Sequence, residues 1–461
     1  MQLCWHRRDL RVADNRALAA CDEALPAFVF DDSVLAHAGP PRVAFMLEAL
    51  SSLREAYRDR GGDLLIEHGD PSTVIADLAA EFGVDRVVWN QDYSGLARER
   101  DEAVRASLDE EGIDHEAYHD AVHHEPGTVL TNDGDPYSVY TYFWKKWRDR
   151  GKDAPVSPPD AIVDEGDGDL PTLSDLGFDE PEGSVPEAGT EVAEALLSEF
   201  CDGPIYRYAE ERDYPTEGCS SRLSPHLKFG TVGIRRVWEA TEEAKGMAET
   251  DEERESVTEF QSQLAWREFY TQVLAYHPHV VTENYREYDE GIEWRTDEEG
   301  LAAWKAGETG YPIVDAGMRQ LREESYMHNR LRMIVASFLT KDLMIDWREG
   351  YAHFRELLVD HDTGNDTGGW QWAASTGTDA QPYFRVFNPM TQGERYDPDA
   401  EYITAYVPEL EGVDPETIHS WHEIGEEERE AAAPEYPAPI VDHAERREAA
   451  IGMFERARGD D

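Results

Sequence analysis

The chain has 461 residues, of which 98 are acidic and 43 are basic, so its formal net charge is −55 at neutral pH. That length suits two or three domains, and no uninterrupted apolar run reaches the 18 or so residues that a transmembrane helix needs, which excludes such a helix. The four cysteines lack CxxC spacing and the N-terminal residues lack a secretory pattern, so we expect a cytoplasmic protein with no disulfide framework, no metal and no iron–sulfur centre.

Acidic residues are spread along the whole chain rather than gathered in one tail, and only seven of the basic residues are lysines. An evenly acidic, lysine-poor surface is typical of proteins in molar salt, where the Debye length shrinks to about 3 Å. The alternative is a protein that binds a basic partner or mimics nucleic acid, but that function favours concentrated acidic blocks. The charge therefore indicates a salty solvent and leaves DNA open as a substrate.

Short apolar segments alternate with amphipathic helical segments in residues 1–130, which we assign to the first domain. The pattern predicts strands at 2–5, 27–30, 64–68 and 86–90, and helices at 43–60 and 72–82. Such alternation predicts an α/β domain with a parallel sheet covered by helices. No GxGxxG follows a strand, so the fingerprint of a dinucleotide-binding fold is missing.

The rest of the chain divides into a linker and a helical domain. Much of 131–189 is rich in Pro, Gly, Asp and Glu with little periodicity, which predicts an interdomain linker. Over 190–461 helical periodicity dominates and tryptophans become frequent. We therefore predict a second, all-α domain.

Residues 218–225, GCSSRLSP, combine hydroxyl groups, an arginine and a Ser-Pro helix start. Hydroxyl and guanidinium groups beside the free N–H groups of a helix N terminus bind phosphate well. The segment is therefore a candidate anion site. The alternative is an ordinary helix cap with a surface arginine, and spacing alone does not decide between them.

Two helical segments carry further candidate residues. The first places Trp266 beside Arg267, although core packing explains a tryptophan at helical spacing equally well. In the second, Asn329, Arg330 and Met333 lie three or four positions apart and so share one helix face. A methionine on that face indicates a lined pocket rather than a solvated surface.

The segment 360–379, DHDTGNDTGGWQWAASTGTD, crowds acidic, glycine and tryptophan residues together. We expect a turn here, in which the glycine pairs let the backbone approach another group closely. The Asp-x-Asp pattern suggests a calcium loop, but the twelfth position counted from Asp360 is Gln371 instead of the required glutamate. Calcium is therefore discounted.

In this order and spacing, the four segments resemble the flavin domain of the photolyase/cryptochrome family. Residues 369–388, GWQWAASTGTDAQPYFRVFN, are the most specific, and the similarity runs from WHRRDLR at 5–11 to YPAPIV at 436–441. The resemblance implies an α/β N-terminal domain, with a parallel five-stranded Rossmann-like sheet, followed by an all-α C-terminal FAD-binding domain. It also implies light-dependent repair of cyclobutane pyrimidine dimers, in which excited, reduced FAD donates an electron to a dimer flipped out of DNA.

In this family a TSRLS-type motif holds the FAD diphosphate, and carboxylates lie beside the flavin ring and its ribityl chain. The residues that match FAD-binding positions are Tyr208, Ser220, Ser221, Arg222, Leu223, Ser224, Arg267, Asp360, Asp362 and Asp366. A purely structural role for Asp362 is the alternative.

The resemblance also implies a substrate pocket and an electron relay. The residues that match contacts to the dimer or to DNA are Arg212, Gln263, Trp266, Asn329, Arg330, Arg332, Met333, Trp372 and Arg385. Trp370, Trp347 and Trp294 match the relay, in order from the flavin to the surface. Each of these three alone would be taken for a core residue.

Two positions depart from the pattern of dimer photolyases. Asp366 takes the position opposite flavin N5, which is usually asparagine; a carboxyl there resembles plant cryptochromes and, if protonated, could donate a proton. Gln263 replaces a glutamate of many dimer photolyases, and (6-4) photolyases often have glutamine there. Residues 327–330 lack the paired histidines of the (6-4) class, and only about 20 residues follow Val441, too few for a long signalling tail. We therefore expect dimer repair, with a cryptochrome-like blue-light sensor or a (6-4) photolyase as the alternatives.

A second pigment is implied by three other positions. Arg42, Asp92 and Lys228 match the subclass with a deazaflavin antenna, whereas the Asn-Glu pair of the folate-binding subclass is missing near residues 96–97. Simple surface placement of Lys228 is the alternative. The expected cofactors are FAD and a deazaflavin, with folate less favoured, and the expected partner is damaged DNA bound by a monomer.

Overall fold

The computed structural model describes residues 1–166 and 169–459. The N-terminal region contains a parallel sheet with strands β1 (Gln2–His6), β2 (Glu23–Phe30), β3 (Leu65–His68), β4 (Arg86–Asn90), β5 (Asp114–Tyr118) and β6 (Ala161–Ile162). Five strands run in the order β3-β2-β1-β4-β5, and the two-residue β6 pairs with the start of β2. The predicted parallel five-stranded sheet is confirmed. The strand predicted at 27–30 begins four residues earlier, at Glu23. The prediction missed its first residues because Glu23 and Pro26 interrupt the apolar pattern.

Helices cover both faces of this sheet. They are α1 (Arg16–Ala19), α2 (Asp32–Leu35), α3 (Pro40–Arg58), α4 (Pro71–Glu81) and α5 (Gly95–Glu111). Successive side chains of a strand point to opposite faces, so Cys4 packs with α1 and α3 while its neighbour Trp5 packs with α4 and α5. The central strands are buried on both faces, which explains why they are almost continuously apolar.

The segment 131–189 carries α6 (Tyr140–Arg148), β6 and a 3₁₀ turn at Ser174–Leu176. Helix α6 packs against the helical domain, whereas β6 extends the sheet. The segment therefore contacts the helical domain through α6 and the sheet through β6.

The C-terminal region is helical. Its helices are α7 (Thr190–Asp202), α8 (Tyr208–Glu211), α9 (Ser224–Phe229), α10 (Ile234–Met247), α11 (Asp251–Tyr276), α12 (Glu298–Ala306), α13 (Pro312–Glu324), α14 (Asn329–Ser337), α15 (Trp347–Leu357), α16 (Thr363–Ala373), α17 (Pro389–Tyr396), α18 (Glu401–Tyr406), α19 (Pro415–His419), α20 (Glu426–Ala432) and α21 (His443–Ala457). The 26-residue α11 starts with a Thr250/Glu253 capping box and is central to the domain, where it contacts α6, α8, α10 and α16. The predicted all-α second domain is confirmed.

A buried network of charges joins the two domains. Arg235 of α10 is almost fully buried, and it donates to Asp14 and Asp120 at 2.6 Å each. Arg11 also donates to Asp120, at 2.5 Å, and to the carbonyl of Gly230 at 3.0 Å. Leaving any of these charges unpaired would be costly, so the network holds the domains in one arrangement.

Two features of the described residues bear on the expected cellular setting. No helix in them is both long and apolar enough to span a bilayer. The four cysteines are all buried and free.

Candidate functional site

The helical domain contains a cavity with two connected chambers that share part of their walls. We call them the inner chamber, of about 300 Å³, and the outer chamber, of about 360 Å³. The residues that line both are Arg212, Gln263, Arg267, Asn329, Arg332, Asn365 and Asp366. These seven residues can therefore contact a molecule in either chamber.

The inner chamber brings together almost all residues that the sequence matched to FAD binding. Its lining includes Tyr208, Ser220, Ser221, Arg222, Leu223, Ser224, Lys228, Arg267, Asp360, Asp362 and Asp366. Serine hydroxyls and Arg222 lie together at the segment that leads into α9. Arg222 adopts a left-handed backbone (φ 52°), and its guanidinium lies 4.5 Å from the ring centroid of Tyr326.

Another part of the inner chamber is a wall of paired charges. Asp360 accepts two hydrogen bonds from Arg332, at 2.8 and 3.0 Å. Asp362 accepts from Arg8 at 2.6 Å. Burial alone would raise the pKa of Asp362, but the charges of Arg8, Lys228 and Arg267 hold it well below the usual range. Asp362 is therefore an anion throughout the physiological range.

Lys228 lies in the same charged group, and burial lowers the pKa of its amine to about 8. The charge of Arg8 acts in the same direction, while Asp362 and Asp92 oppose it. Lys228 thus lines the FAD-type chamber as well as being an antenna candidate.

Asp366 lies between the two chambers. One of its carboxylate oxygens accepts from the backbone N–H of Asp362 at 2.8 Å and lies 2.7 Å from Nδ1 of His361. Its other oxygen is 3.9 Å from the guanidinium of Arg332. Burial lowers the pKa of His361, although Asp366 opposes that shift.

The outer chamber has aromatic walls and a small polar set. Trp266 stacks on Tyr140 with ring centroids 3.7 Å apart and planes at 11°, so its orientation is held from behind. Trp372 is part of the same lining. Asn329 and Met333 lie one helical turn apart, with Nδ2 3.8 Å from the sulfur. Such a chamber can hold a flat apolar group with a polar edge.

Two further polar residues at this wall share one partner. Gln263 donates to Glu259 at 3.1 Å, and Arg212 donates to the same carboxylate at 2.6 Å. Both line the two chambers.

Two of the arginines matched to DNA do not line either chamber. Arg330 forms an ion pair with Asp213, and its guanidinium lies 4.3 Å from the ring centroid of Tyr396. It therefore points away from the face shared by Asn329 and Met333. Arg385 is exposed in the loop after Trp372, next to the exposed Phe384.

Two of the three relay candidates are buried, and the third is partly exposed. Trp370 is buried in the wall of the outer chamber, with its ring centroid 4.9 Å from that of Phe354. Trp347 is buried at the start of α15 and donates to Asn284 at 2.9 Å. Trp294 is partly exposed and packs against Phe454.

The three antenna candidates lie where the two domains meet. Arg8 also approaches Asp92, at 3.4 Å, and this charge together with that of Lys228 outweighs burial and lowers the pKa of Asp92 to about 2. Arg42 is buried and donates to the carbonyls of His37 and Leu358, at 2.8 and 3.3 Å. Arg42 therefore bridges α3 and the helical domain through backbone groups.

The segment expected to be a turn is instead helix α16. Asp362 caps it by accepting from the backbone N–H of Asn365 at 3.2 Å. Its glycines have a packing reason: a Cβ on Gly368 would lie 2.2 Å from the ring of Tyr270 on α11. Helix α16 can approach α11 this closely only with glycine at this position. The prediction of a turn was wrong, because Thr363–Ala373 form a helix.

Sequence reasoning missed several residues of the site. Asn365 lines both chambers and donates from its side chain to Asp362 at 2.8 Å. Its place in the glycine-rich segment was an available signal. Arg8 lies in the WHRRDLR segment that carried the resemblance, but its contact with Asp362 spans 354 positions. No local pattern could have indicated that contact.

The donors and acceptors of the inner chamber fit FAD. Hydroxyl and guanidinium groups at one part suit a diphosphate, and the carboxylates of Asp360 and Asp362 suit hydroxyl and N–H donors.

Known families and proteins match this chain along its length. The family model described as DNA photolyase matches residues 2–160, and the one described as FAD binding domain of DNA photolyase matches residues 260–456. A deoxyribodipyrimidine photo-lyase of Halobacterium salinarum is 62% identical and aligns over 100% of both chains. Another from Synechococcus is 42% identical over 96% of this chain and 93% of the relative.

Several solved structures share the fold of this chain. A class III photolyase from Agrobacterium tumefaciens has a TM-score of 0.92 and 35% identity, with 99% of this chain and 98% of that one covered. An archaeal photolyase from Sulfolobus tokodaii, solved with two FAD molecules, has a TM-score of 0.85 and 33% identity, covering 99% and 100%. A Synechocystis cryptochrome shares the fold, with a TM-score of 0.90 and 24% identity. The match covers 98% of this chain and 99% of the cryptochrome.

Proposed function

The chain belongs to the photolyase/cryptochrome family, and from that premise we propose that it is a deoxyribodipyrimidine photo-lyase, which repairs cyclobutane pyrimidine dimers in DNA with light and FAD. The observation that carries the proposal is the shared wall of the two chambers. A cofactor in the inner chamber and a dimer in the outer chamber would both touch this shared wall. That arrangement suits electron transfer over a short distance.

In this proposal the inner chamber holds FAD, which when bound supplies the photoexcited electron donor. Ser220, Ser221 and Arg222 hold the diphosphate, because hydroxyl and guanidinium donors suit phosphate oxygens. Asp360 and Asp362 orient the middle of the cofactor. Their pairing with Arg332 and Arg8 fixes both carboxylates before the cofactor binds.

The outer chamber receives the flipped-out dimer. Extruding a damaged pair costs less than extruding an intact one, and Trp266 and Trp372 provide apolar walls for the two pyrimidine rings. Asn329 contacts a polar edge and Met333 an apolar one. The stack between Tyr140 and Trp266 means that no ordering of Trp266 is required on binding.

Three tryptophans complete the proposal. Trp294, Trp347 and Trp370 would pass an electron from an external reductant at the protein surface toward the cofactor, which would return an oxidised cofactor to its reduced state. The partial exposure of Trp294, with Trp370 and Trp347 both buried, supports that direction. Asp366 lies at the chamber junction, where a carboxyl group can hold or donate a proton.

The setting of the protein follows from composition and from the antenna candidates. The acidic, lysine-poor composition is that of a protein in concentrated salt, and the 62% identical relative comes from Halobacterium salinarum. We propose a cytoplasmic monomer that binds a deazaflavin near Asp92 and Lys228. Their charges beside Arg8 at the domain junction support an acidic or phenolic pigment there.

The decisive test is a repair assay on the purified protein in concentrated KCl. Separate oligonucleotides carry a cyclobutane dimer or a (6-4) product, and each is irradiated with blue light or kept dark. Light-dependent loss of the cyclobutane dimer alone is the expected result. Repair of the (6-4) product alone would change the substrate, and photoreduction of flavin without any repair would favour the cryptochrome-like sensor that the carboxyl of Asp366 resembles.

A further inference from the structure

The chain segment that follows β5 is bound by two adjacent residues of helix α11. The carboxylate of Glu268 accepts from the backbone N–H groups of His123 and His124, at 2.8 and 3.1 Å. The guanidinium of Arg267 donates to the carbonyl of Ala121 at 2.6 Å. An acceptor and a donor that are neighbours in the sequence therefore hold the same short piece of backbone.

The start of this piece is fixed at the junction of the two domains. We call residues 120–124 the exit segment, because they leave the last of the five main strands. Asp120 accepts from Arg11 at 2.5 Å and from Arg235 at 2.6 Å, and the side chain of Val122 is buried. The exit segment is thus tied to the domain junction at one end and to Glu268 at the other.

The surroundings of Glu268 leave the backbone of the exit segment as the direct partner of its carboxylate. Burial lowers the pKa of His124 to about 4 and that of His123 well below its usual range, so both rings are neutral. The amine of Lys152 acts on the carboxylate only through its charge, and it donates to the carbonyl of Arg150 at 2.9 Å. A buried carboxylate that binds two successive N–H groups is a strong restraint on that backbone.

The position of Arg267 depends on the same backbone. Its side chain lines both chambers, and it donates to the carbonyl of Leu227 at 3.2 Å as well as to that of Ala121. Among the described residues, these two hydrogen-bond partners are both uncharged. The guanidinium therefore presents its positive charge at the shared wall, where a cation stabilises negative charge on either side.

We propose that Glu268 is a positioning residue for Arg267: it fixes the exit segment, and the carbonyl of Ala121 in turn sets the guanidinium at the wall shared by the chambers. This inference rests on the proposed function, because it takes the inner chamber as the FAD site. Glu268 lines neither chamber, so it acts through Arg267 and touches neither cofactor nor lesion. The competing role for Glu268 is stabilisation of the domain junction alone.

The test is a double-mutant cycle on the holoprotein in concentrated KCl. Its variants are Glu268→Met, which removes the acceptor at similar volume, Arg267→Gln, and the two combined. The midpoint potential of bound FAD and the dissociation constant of FAD are measured for each, with urea unfolding in parallel. Glu268→Gln is made in both backgrounds as well, because its amide oxygen can still accept from one N–H group.

Asp397 provides a matched control. It is 2% exposed, as Glu268 is, and it also accepts from two successive backbone N–H groups, those of Tyr402 at 3.0 Å and Ile403 at 2.8 Å. Asp397 lines neither chamber. Asp397→Asn should therefore leave the potential and the affinity for FAD at the values of the wild type, whatever its effect on unfolding.

Reduction adds negative charge to FAD, so a cation at the wall favours it. We expect Arg267→Gln to lower the midpoint potential and to weaken FAD binding by roughly tenfold. Glu268→Met should shift both in the same direction, and Glu268→Gln should do so by less. In the Arg267→Gln background, Glu268→Met should change the FAD dissociation constant by less than about twofold further, because residues that act through one another are not additive.

Two results would overturn this inference and leave the proposed function standing. One is a Glu268→Met variant that unfolds more easily but keeps the potential and FAD affinity of the wild type; the other is a pair of effects that simply add in the double variant. Either would assign Glu268 to the domain junction alone. If Glu268→Met does not fold, Glu268→Gln in the two backgrounds decides by the same comparison. A wild type that binds no FAD would instead refute the proposed function.

Discussion

Helices α11 and α16 pack closely at the candidate site, and this contact can be tested by adding one methyl group. Helix α11 carries Trp266 and Arg267, whereas α16 carries Asp366, Trp370 and the second aromatic wall. The two helices touch where Gly368 meets the ring of Tyr270. Replacement of Gly368 by alanine should therefore disturb both the packing and the cavity.

The magnitude follows from the geometry. A Cβ on Gly368 would lie 2.2 Å from Cδ1 and 2.6 Å from Cγ of Tyr270, where ordinary contact begins at 3.4 Å. The overlap exceeds 1 Å, and Cγ is too close to the backbone to swing away. Overpacking of this kind costs about 1–3 kcal/mol, and the better helix propensity of alanine returns about 1 kcal/mol. We expect Gly368→Ala to lose up to about 2 kcal/mol of unfolding free energy and to retain FAD less well.

The neighbouring glycine provides the control. Gly369 lies on the same helix, and a Cβ there meets nothing within 4 Å. Gly369→Ala should therefore raise the unfolding free energy by up to about 1 kcal/mol. Urea unfolding of both variants in concentrated KCl, followed by circular dichroism and by flavin fluorescence, measures the difference. If Gly368→Ala is as stable as Gly369→Ala and keeps its FAD, the argument that this contact limits the site is refuted.

Three other predictions concern charge and electron flow. Arg8→Gln should lower the unfolding free energy by about 2 kcal/mol, because Asp362 loses a partly buried charged partner. Since the pKa of Asp362 is depressed in the folded protein, the difference in unfolding free energy between wild type and variant, measured by urea titration, should become smaller as pH falls below about 4. Trp347→Phe should abolish photoreduction of oxidised flavin under blue light while chemically reduced protein still repairs dimers, and Trp421→Phe, equally buried, should retain both activities. Burial raises the pKa of Glu268 to about 7, although two backbone N–H groups bind its carboxylate at 2.8 and 3.1 Å. Its ionisation therefore lowers the unfolding free energy of the wild type as pH rises from about 4 to 7. The unfolding free energy of Glu268→Gln, relative to that of the wild type, should rise by roughly 2–3 kcal/mol between pH 5 and pH 8. A difference between the two urea midpoints that does not change with pH would contradict this.

Features with a local cause could be predicted from the sequence. The four strands identified by their apolar runs are present, and helices α3 and α4 lie within three residues of the predicted bounds. Local periodicity suffices there because a buried parallel strand and an amphipathic helix each carry their own pattern. The candidate FAD residues were identified by resemblance to a family, and the structure brings them together around one chamber.

Features that depend on contacts between distant segments could not be predicted. Helix propensity argues against a helix at Thr363–Ala373, which contains three glycines, and only the packing against Tyr270 reveals why two of them, Gly364 and Gly368, are there. Arg330 shares a predicted helix face with Asn329, but Asp213 and Tyr396 draw it away.

The sequence by itself determined the class of each domain, the salt-adapted composition and the identity of most residues around the cavity. Only the tertiary structure decided that Arg8 of the first domain pairs with Asp362 of the second, and that the two chambers share a wall. The physical reason is that a pattern in sequence records which surface a segment must bury. The partner that it buries against is selected by the packing of the whole chain.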